Sequence, residues 1–197
     1  MRAIITTIVL AITMLYTASA QSFTDHGDWS TGLAGEKVVA LTFGEKISGN
    51  IKSGADDTSM QLVAEKNNQG EVVWNILFVG MPYKYDNSGQ NRNFVTIDFI
   101  LDGDKSTKVS HVAELYNENG AVKFKSDAIE SIYNMSRKGK TLYIRTRLSN
   151  DKVGLVAKYS LIGFIEADKK ADELVASHIK GTSNPFSAQS NDDPFRG

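Results

Sequence analysis

The sequence predicts a mainly β fold: an antiparallel β-sandwich or strongly bent sheet carrying a short helix and a C-terminal helix. Three observations predict it. About eight short runs are rich in β-branched and aromatic residues, from Val38-Val39-Ala40-Leu41-Thr42-Phe43 to the run 153–159. Several connections are hairpin-length and built of Asn and Gly, such as Asn67-Asn68-Gln69-Gly70 and Asn117-Glu118-Asn119-Gly120, so antiparallel pairing dominates. Only two stretches, near 127–136 and 162–179, space their apolar residues at a helical period.

The chain of 197 residues opens with the three parts of a secretory signal peptide. Arg2 is the basic start, residues 3–15 the apolar run, and Ala18-Ser19-Ala20 the small residues before a cut, which places the first mature residue at Gln21. A bilayer anchor needs roughly 20 apolar residues, and this run is shorter and broken by threonines. The expected organisation is therefore a leader over 1–20, one β-rich domain over 21–180 and a disordered tail over 181–197. No stable membrane anchor is expected after cleavage, and the protein is read as periplasmic or secreted in a bacterium.

Within the domain, residues 21–37 are polar and Gly-rich, with Phe23 and Trp29 the large apolar groups. The strand 38–43 ends at Gly44, and the turn-rich stretch 44–58 reads as a loop around a brief extended piece. A hairpin follows, 60–65 against 72–79. Residues 80–93 read as a long surface loop, and 94–101 as a strand ended by Asp102-Gly103-Asp104. A second hairpin joins 107–116 to 121–125, with an open register. Ile129, Ile132, Tyr133 and Ser136 mark the short helix, with Asp127 and Glu130 spaced as a capping box. Leu142, Ile144, Thr146 and Leu148 alternate with Tyr143, Arg145 and Arg147 in a half-buried strand, and 153–159 form the next. Phe164, Asp168, Ala171, Val175 and His178 line the last helix, which Gly181 stops.

Composition removes whole classes of chemistry. The formal charge of −1, or −2 without Arg2, is too near neutral for a nucleic-acid binder. The chain has no cysteine, which excludes thiol catalysis, Cys-ligated metals and Fe–S clusters. His26, His111 and His178 lie far apart in sequence; His26, between Asp25 and Asp28, is the one with carboxylates beside it, and a solvated segment is the simpler reading. No nucleophile elbow is present, and Ser53-Gly54 and Ser88-Gly89 are turn signals. Asp56-Asp57 and Asp102/Asp104 lack the spacing of a calcium loop and read as turn carboxylates. No catalytic residue, metal site or cofactor is assigned.

Asp98 interrupts an apolar strand, and an unpaired buried carboxylate costs several kcal/mol. Arg145 and Arg147 are the available cations, so a structural cross-strand pair is expected, with a polar binding surface the other reading. Tyr83 and Tyr85, in Met81-Pro82-Tyr83-Lys84-Tyr85-Asp86, have the character of contact residues, with rings folded back on the sheet the other reading. In the tail, Asn184-Pro185-Phe186 and Asp193-Pro194-Phe195 repeat one theme, so Pro185, Phe186, Pro194 and Phe195 are candidate partner-binding residues.

The order from Phe94 to Ala171 also carries a resemblance. A strand ending in Asp102-Gly103 is followed by the short helix 126–135 and by Leu142-Tyr143-Ile144-Arg145. The phrase Ala157-Lys158-Tyr159-Ser160-Leu161-Ile162-Gly163-Phe164-Ile165-Glu166-Ala167 then leads into the last helix. This resembles the C-terminal half of bacterial periplasmic proteins of the invasion-associated locus B type and related type VI secretion accessory proteins. The resemblance implies an exported β-sandwich with no known catalytic site, and it supplies no functional residues. Such proteins commonly carry a cysteine pair that is missing here. The function expected is non-enzymatic binding or accessory work through protein–protein recognition, linked to secretion or host interaction, with a protein partner in the envelope or outside the cell. The alternative is a small envelope hydrolase of glycan or peptide, which would need two carboxylates about 5–10 Å apart in a cleft.

Overall fold

One long strand decides the architecture. The computed structural model describes residues 23–51, 57–81, 94–116, 120–147 and 153–179. Their strands are β1 (Thr24–His26), β2 (Trp29–Ala34), β3 (Lys37–Gly49), β4 (Thr58–Lys66), β5 (Val72–Val79), β6 (Phe94–Leu101), β7 (Asp104–Leu115), β8 (Val122–Lys123), β9 (Thr141–Arg147) and β10 (Val153–Ser160). Two helices, α1 (Ser126–Lys138) and α2 (Phe164–Leu174), complete the set, and α2 runs on into a π-helical turn, Val175–Ile179. Hydrogen-bonded neighbours run β3-β10-β9-β6-β7-β8-β5-β4 and return to β3. The sheet is thus a closed eight-stranded antiparallel barrel with two extra strands. This corrects the expected sandwich or open bent sheet.

The correction has a local cause. Residues 44–49 read as loop because Gly44, Gly49 and charged side chains fill them, yet they continue β3. The first part of β3 pairs with β4, from Val38↔Ala64 to Gly44↔Thr58. Its last part pairs with β10 across the other edge, from Gly44↔Tyr159 to Gly49↔Leu155. One strand therefore holds both ends of the ladder, and closure covers most of the edge a sandwich would leave. Pairing of this kind overrides the weak strand preference of Gly, Glu and Lys.

The extra strands come from the segment read as polar and Gly-rich, residues 21–37. β1 and β2 form a hairpin through His26↔Trp29, and β2 lies along the first half of β3, from Ser30↔Leu41 to Ala34↔Lys37. Trp29 anchors it. Its ring is buried 5.0 Å from that of Phe164, and its Nε1 donates to the Ser160 carbonyl at 2.9 Å.

Alternation in the strands fills the barrel. Ala40, Leu62, Ile76, Ile97, Ile144 and Ala157 point inward, and Phe78 sits centrally with Tyr159 at 5.3 Å and Phe99 at 5.7 Å. The unbroken apolar run of β3 has a second cause. Val39, Leu41, Val63 and Leu77 form a small cluster on the other face, covered by Phe23 and Tyr116. A strand buried on both faces loses its alternation.

One internal hydroxyl pair links β4 to β10. Tyr159 Oη lies 2.5 Å from Thr58 Oγ1, and Thr58 spends its own proton on the Val79 carbonyl at 2.7 Å, so Tyr159 is the donor. Burial raises the Tyr159 pKa, which keeps that proton in place. Tyr159→Phe is expected to lower the unfolding free energy by about 1 kcal/mol. Urea denaturation followed by circular dichroism reads it, and no change would remove the bond from the balance of stability.

The helices differ from expectation at their ends. The residue before α1 is Lys125, with no side-chain cap, so Asp127 and Glu130 form no capping box; Asp127 instead places charge in the first turn. α2 starts after Gly163 and loosens at Val175, where the expected helix ran unbroken over 162–179. In that turn the Ser177 hydroxyl donates to the Glu173 and Leu174 carbonyls and competes with the ladder. The two helices are tied by Tyr133 Oη, which donates to the buried Asp168 carboxylate. Among the described residues no helix is long and apolar enough to cross a membrane.

Candidate functional site

Three strands, β7, β6 and β9, build a plate on the outside of the barrel. Val95, Ile97 and Phe99 point inward, so Phe94, Thr96 and Asp98 point out. Register places Asp98 between Ser110 on β7 and Arg145 on β9, and Thr96 between Val112 and Arg147. The expected cross-strand pair is present and larger than two residues. Ser110 Oγ donates to Asp98 Oδ1 at 2.7 Å, and Arg147 Nη2 reaches the same oxygen at 2.9 Å. Arg145 donates to Oδ2 from Nε at 3.0 Å and Nη2 at 2.5 Å, and Lys108 Nζ stands 3.7 Å away. Asp98 is 2 % exposed. Burial alone would raise its pKa, and the hydrogen bonds from Ser110, Arg145 and Arg147 outweigh that and hold it at about 2.

Beside this plate the barrel is thinly closed. β7 spans twelve residues, but β8 has two, and they meet only at Glu114↔Lys123 and Leu115↔Val122. The Tyr116 N–H donates to the Ala121 carbonyl at 2.7 Å in the same register. In an antiparallel ladder the residues that bond across one edge alternate. Tyr116, and by alternation Glu114, Val112, Ser110 and Lys108, therefore aim their backbone groups at that edge. Among the described residues nothing pairs with Lys108, Ser110 or Val112 there.

The chain turns away after Lys123 into α1, and a groove of about 520 Å³ lies between this edge and the β8–α1 corner. Phe94 and β7 residues from Ser110 to Glu114 line one side, and Lys123, Phe124, Lys125, Asp127 and Ala128 the other. Phe94 and Val112 are 55 % and 59 % exposed, diagonal neighbours on the outer face. His111 points inward with its ring 6.0 Å from Phe99, and its buried Nε2 has no hydrogen-bond partner among the described residues. Burial pushes the His111 pKa down, against the pull of the Asp127 carboxylate.

Tyr83, Tyr85, Pro185, Phe186, Pro194 and Phe195 lie outside the described residues, as do the leader, the tail and Asp56. His26 is on β1 and His178 on the π-helical turn, and no group of three metal-ligating side chains gathers among the described residues. Asp102 Oδ1 accepts from the Lys140 and Thr141 amides at 2.9 and 2.7 Å, and Asp104 Oδ1 accepts from Ser106. Asp104 thus acts within its own turn, whereas Asp102 holds the start of β9.

Phe94, Lys108, Ser110 and Val112 escape a motif search because they match none. The signal that finds them is arithmetic: a strand over 107–116 facing a hairpin partner over 121–125 leaves half its length without a neighbour.

No family model matches this chain, and no curated protein matches it. Among solved structures, it is similar to invasion associated protein b from Bartonella henselae, with a TM-score of 0.46 and 12 % identity over 79 % of this chain and 99 % of that one.

Proposed function

We propose that this protein works without catalysis of its own, as a periplasmic or secreted accessory protein that binds another polypeptide in the envelope or outside the cell. The observation that carries the reading is the pairing of two exposed apolar side chains, Phe94 and Val112, with a strand edge directly beside them that no described residue pairs. Exposed apolar groups set in a polar rim are what a recognition surface needs at its centre. The Asp98 cluster beneath holds β6, β7 and β9 in fixed register, so the surface is formed before a partner arrives. The leader over 1–20 supplies the route to that partner.

A photoreactive amino acid placed at Val112, with a matched probe at the distant exposed Ile47, tests this in cells carrying the full chain. Position 112 is expected to give a discrete adduct with one envelope or extracellular polypeptide, on a protein whose first residue is Gln21, while position 47 gives none. Equal labelling from both positions, or none from 112, would refute the reading.

A further inference from the structure

The edge of β7 that no described residue pairs names the molecule that fits it. Lys108, Ser110 and Val112 each turn one N–H and one C=O toward the groove, repeating every second residue, about 7 Å apart. Another extended backbone matches that repeat group for group. We propose that β7 takes up an extended segment of the partner protein as an added strand, which rests on the binding reading above and gives it a mode and a chemistry.

The walls of the groove specify the segment. Side chains directed inward would meet His111, Phe124 and Ala128, so apolar residues belong there. Side chains directed outward would lie beside Lys108, Ser110 and Val112. Arg145 already grips Asp98 with two nitrogens, whereas Lys108 stands 3.7 Å off and is 43 % exposed, so its charge is available to a carboxylate on the added strand. Lys125, exposed at the opposite rim, has the same sign; of the groove's carboxylates, Glu114 faces Lys123 in register and Asp127 lies two residues from Lys125, which leaves Lys108 as the net charge. The occupant is thus an extended peptide with apolar and acidic residues in alternation. A second copy fits less well: β7 paired with itself about Ser110 sets Val112, and no carboxylate, against Lys108.

The probe is a fluorescein-labelled, N-acetylated decapeptide alternating Val and Glu, titrated into the protein spanning residues 21–197. Anisotropy is expected to report binding, and the amides of Lys108, Ser110 and Val112 to exchange at least tenfold more slowly in the complex. Val112→Pro removes an N–H aimed at the groove, and should bind at least tenfold more weakly than Val112→Thr, which gives up the same apolar side chain but keeps the N–H. Two further peptides, N-methylated on every Val or on every Glu, are tested on the unaltered protein, so the result does not hang on the proline variant. One of them should lose at least tenfold in affinity and the other bind as the parent does. Strand addition is wrong if the parent peptide does not bind, if both methylated peptides bind equally well, or if those amides become protected with rising protein concentration alone. Crosslinks from position 112 combined with any of these results would remove strand addition and leave the binding reading intact.

Discussion

Gly163→Ala is expected to remove more than about 3 kcal/mol from the unfolding free energy, a large share of the 5–15 kcal/mol typical of a domain. Two costs coincide at this residue. Its φ of 91° lies where a side chain is strained, and an added Cβ would sit 1.6 Å from the His26 carbonyl oxygen. That oxygen belongs to backbone and cannot swing aside, so the β1–β2 turn must leave the start of α2. Several bonds go with it: the Asp28 amide to the Ile162 carbonyl at 3.2 Å, Ser160 Oγ to Asp28 Oδ2 at 2.6 Å, and the indole of Trp29 to Ser160. Gly70→Ala separates the two costs. Gly70 has a φ of 81° with nothing near its missing Cβ, so it should lose only the conformational part, roughly 1–2 kcal/mol. Denaturant midpoints of both variants, with tryptophan emission as a second probe for Gly163, measure the difference. A Gly163 variant no worse than the Gly70 variant would mean that the amino-terminal hairpin does not depend on this contact.

Elements that pair with their sequence neighbours are legible residue by residue. β6 begins at Phe94 and ends at Leu101 as its pattern predicts, because its inward residues alternate and Asp102-Gly103 turns the chain. The β4–β5 hairpin is legible too, since Asn67 Oδ1 accepts from the Gln69 and Glu71 amides and fixes the turn. Closure is not legible. It depends on β3 meeting β4 and β10 at once, and the half that meets β10 exposes almost every side chain, so no apolar pattern marks it. β2 is hidden for a related reason: its burial comes from α2, through Thr31 Oγ1 donating to the Ala167 carbonyl at 3.1 Å, a contact 136 residues away. At the candidate site, Asp98 and its two arginines can be read from one apolar strand interrupted by one acid. Lys108, Ser110 and Val112 require knowing which edge of β7 stays open, a property of the ladder and not of any residue.

The stability of the barrel should fall with pH between about 4 and 2, and Asp98 should account for much of the fall. Its carboxylate is held at about 2 in the folded protein and returns to about 3.8 when the chain unfolds. A group with a depressed folded pKa contributes fully above its unfolded value, so its share is complete above about pH 4 and is lost as the pH drops through 2. The bonds involved are charge-assisted, yet Arg145 and Arg147 remain 45 % and 33 % exposed, so solvent screens the pair, and a contribution of about 2 kcal/mol is expected. Asp98→Asn keeps the shape and the Ser110 bond while removing the charge. It should be less stable than the parent at pH 6 by that amount and approach it near pH 2. Asp98→Ala should cost more at every pH, since it also leaves Ser110 without its acceptor and opens the plate between β6, β7 and β9. Urea unfolding at each pH separates these cases. Parallel curves for the parent and the Asn variant would show that the carboxylate gains nothing from its cations, and the plate beside β7 would then owe its rigidity to backbone pairing alone.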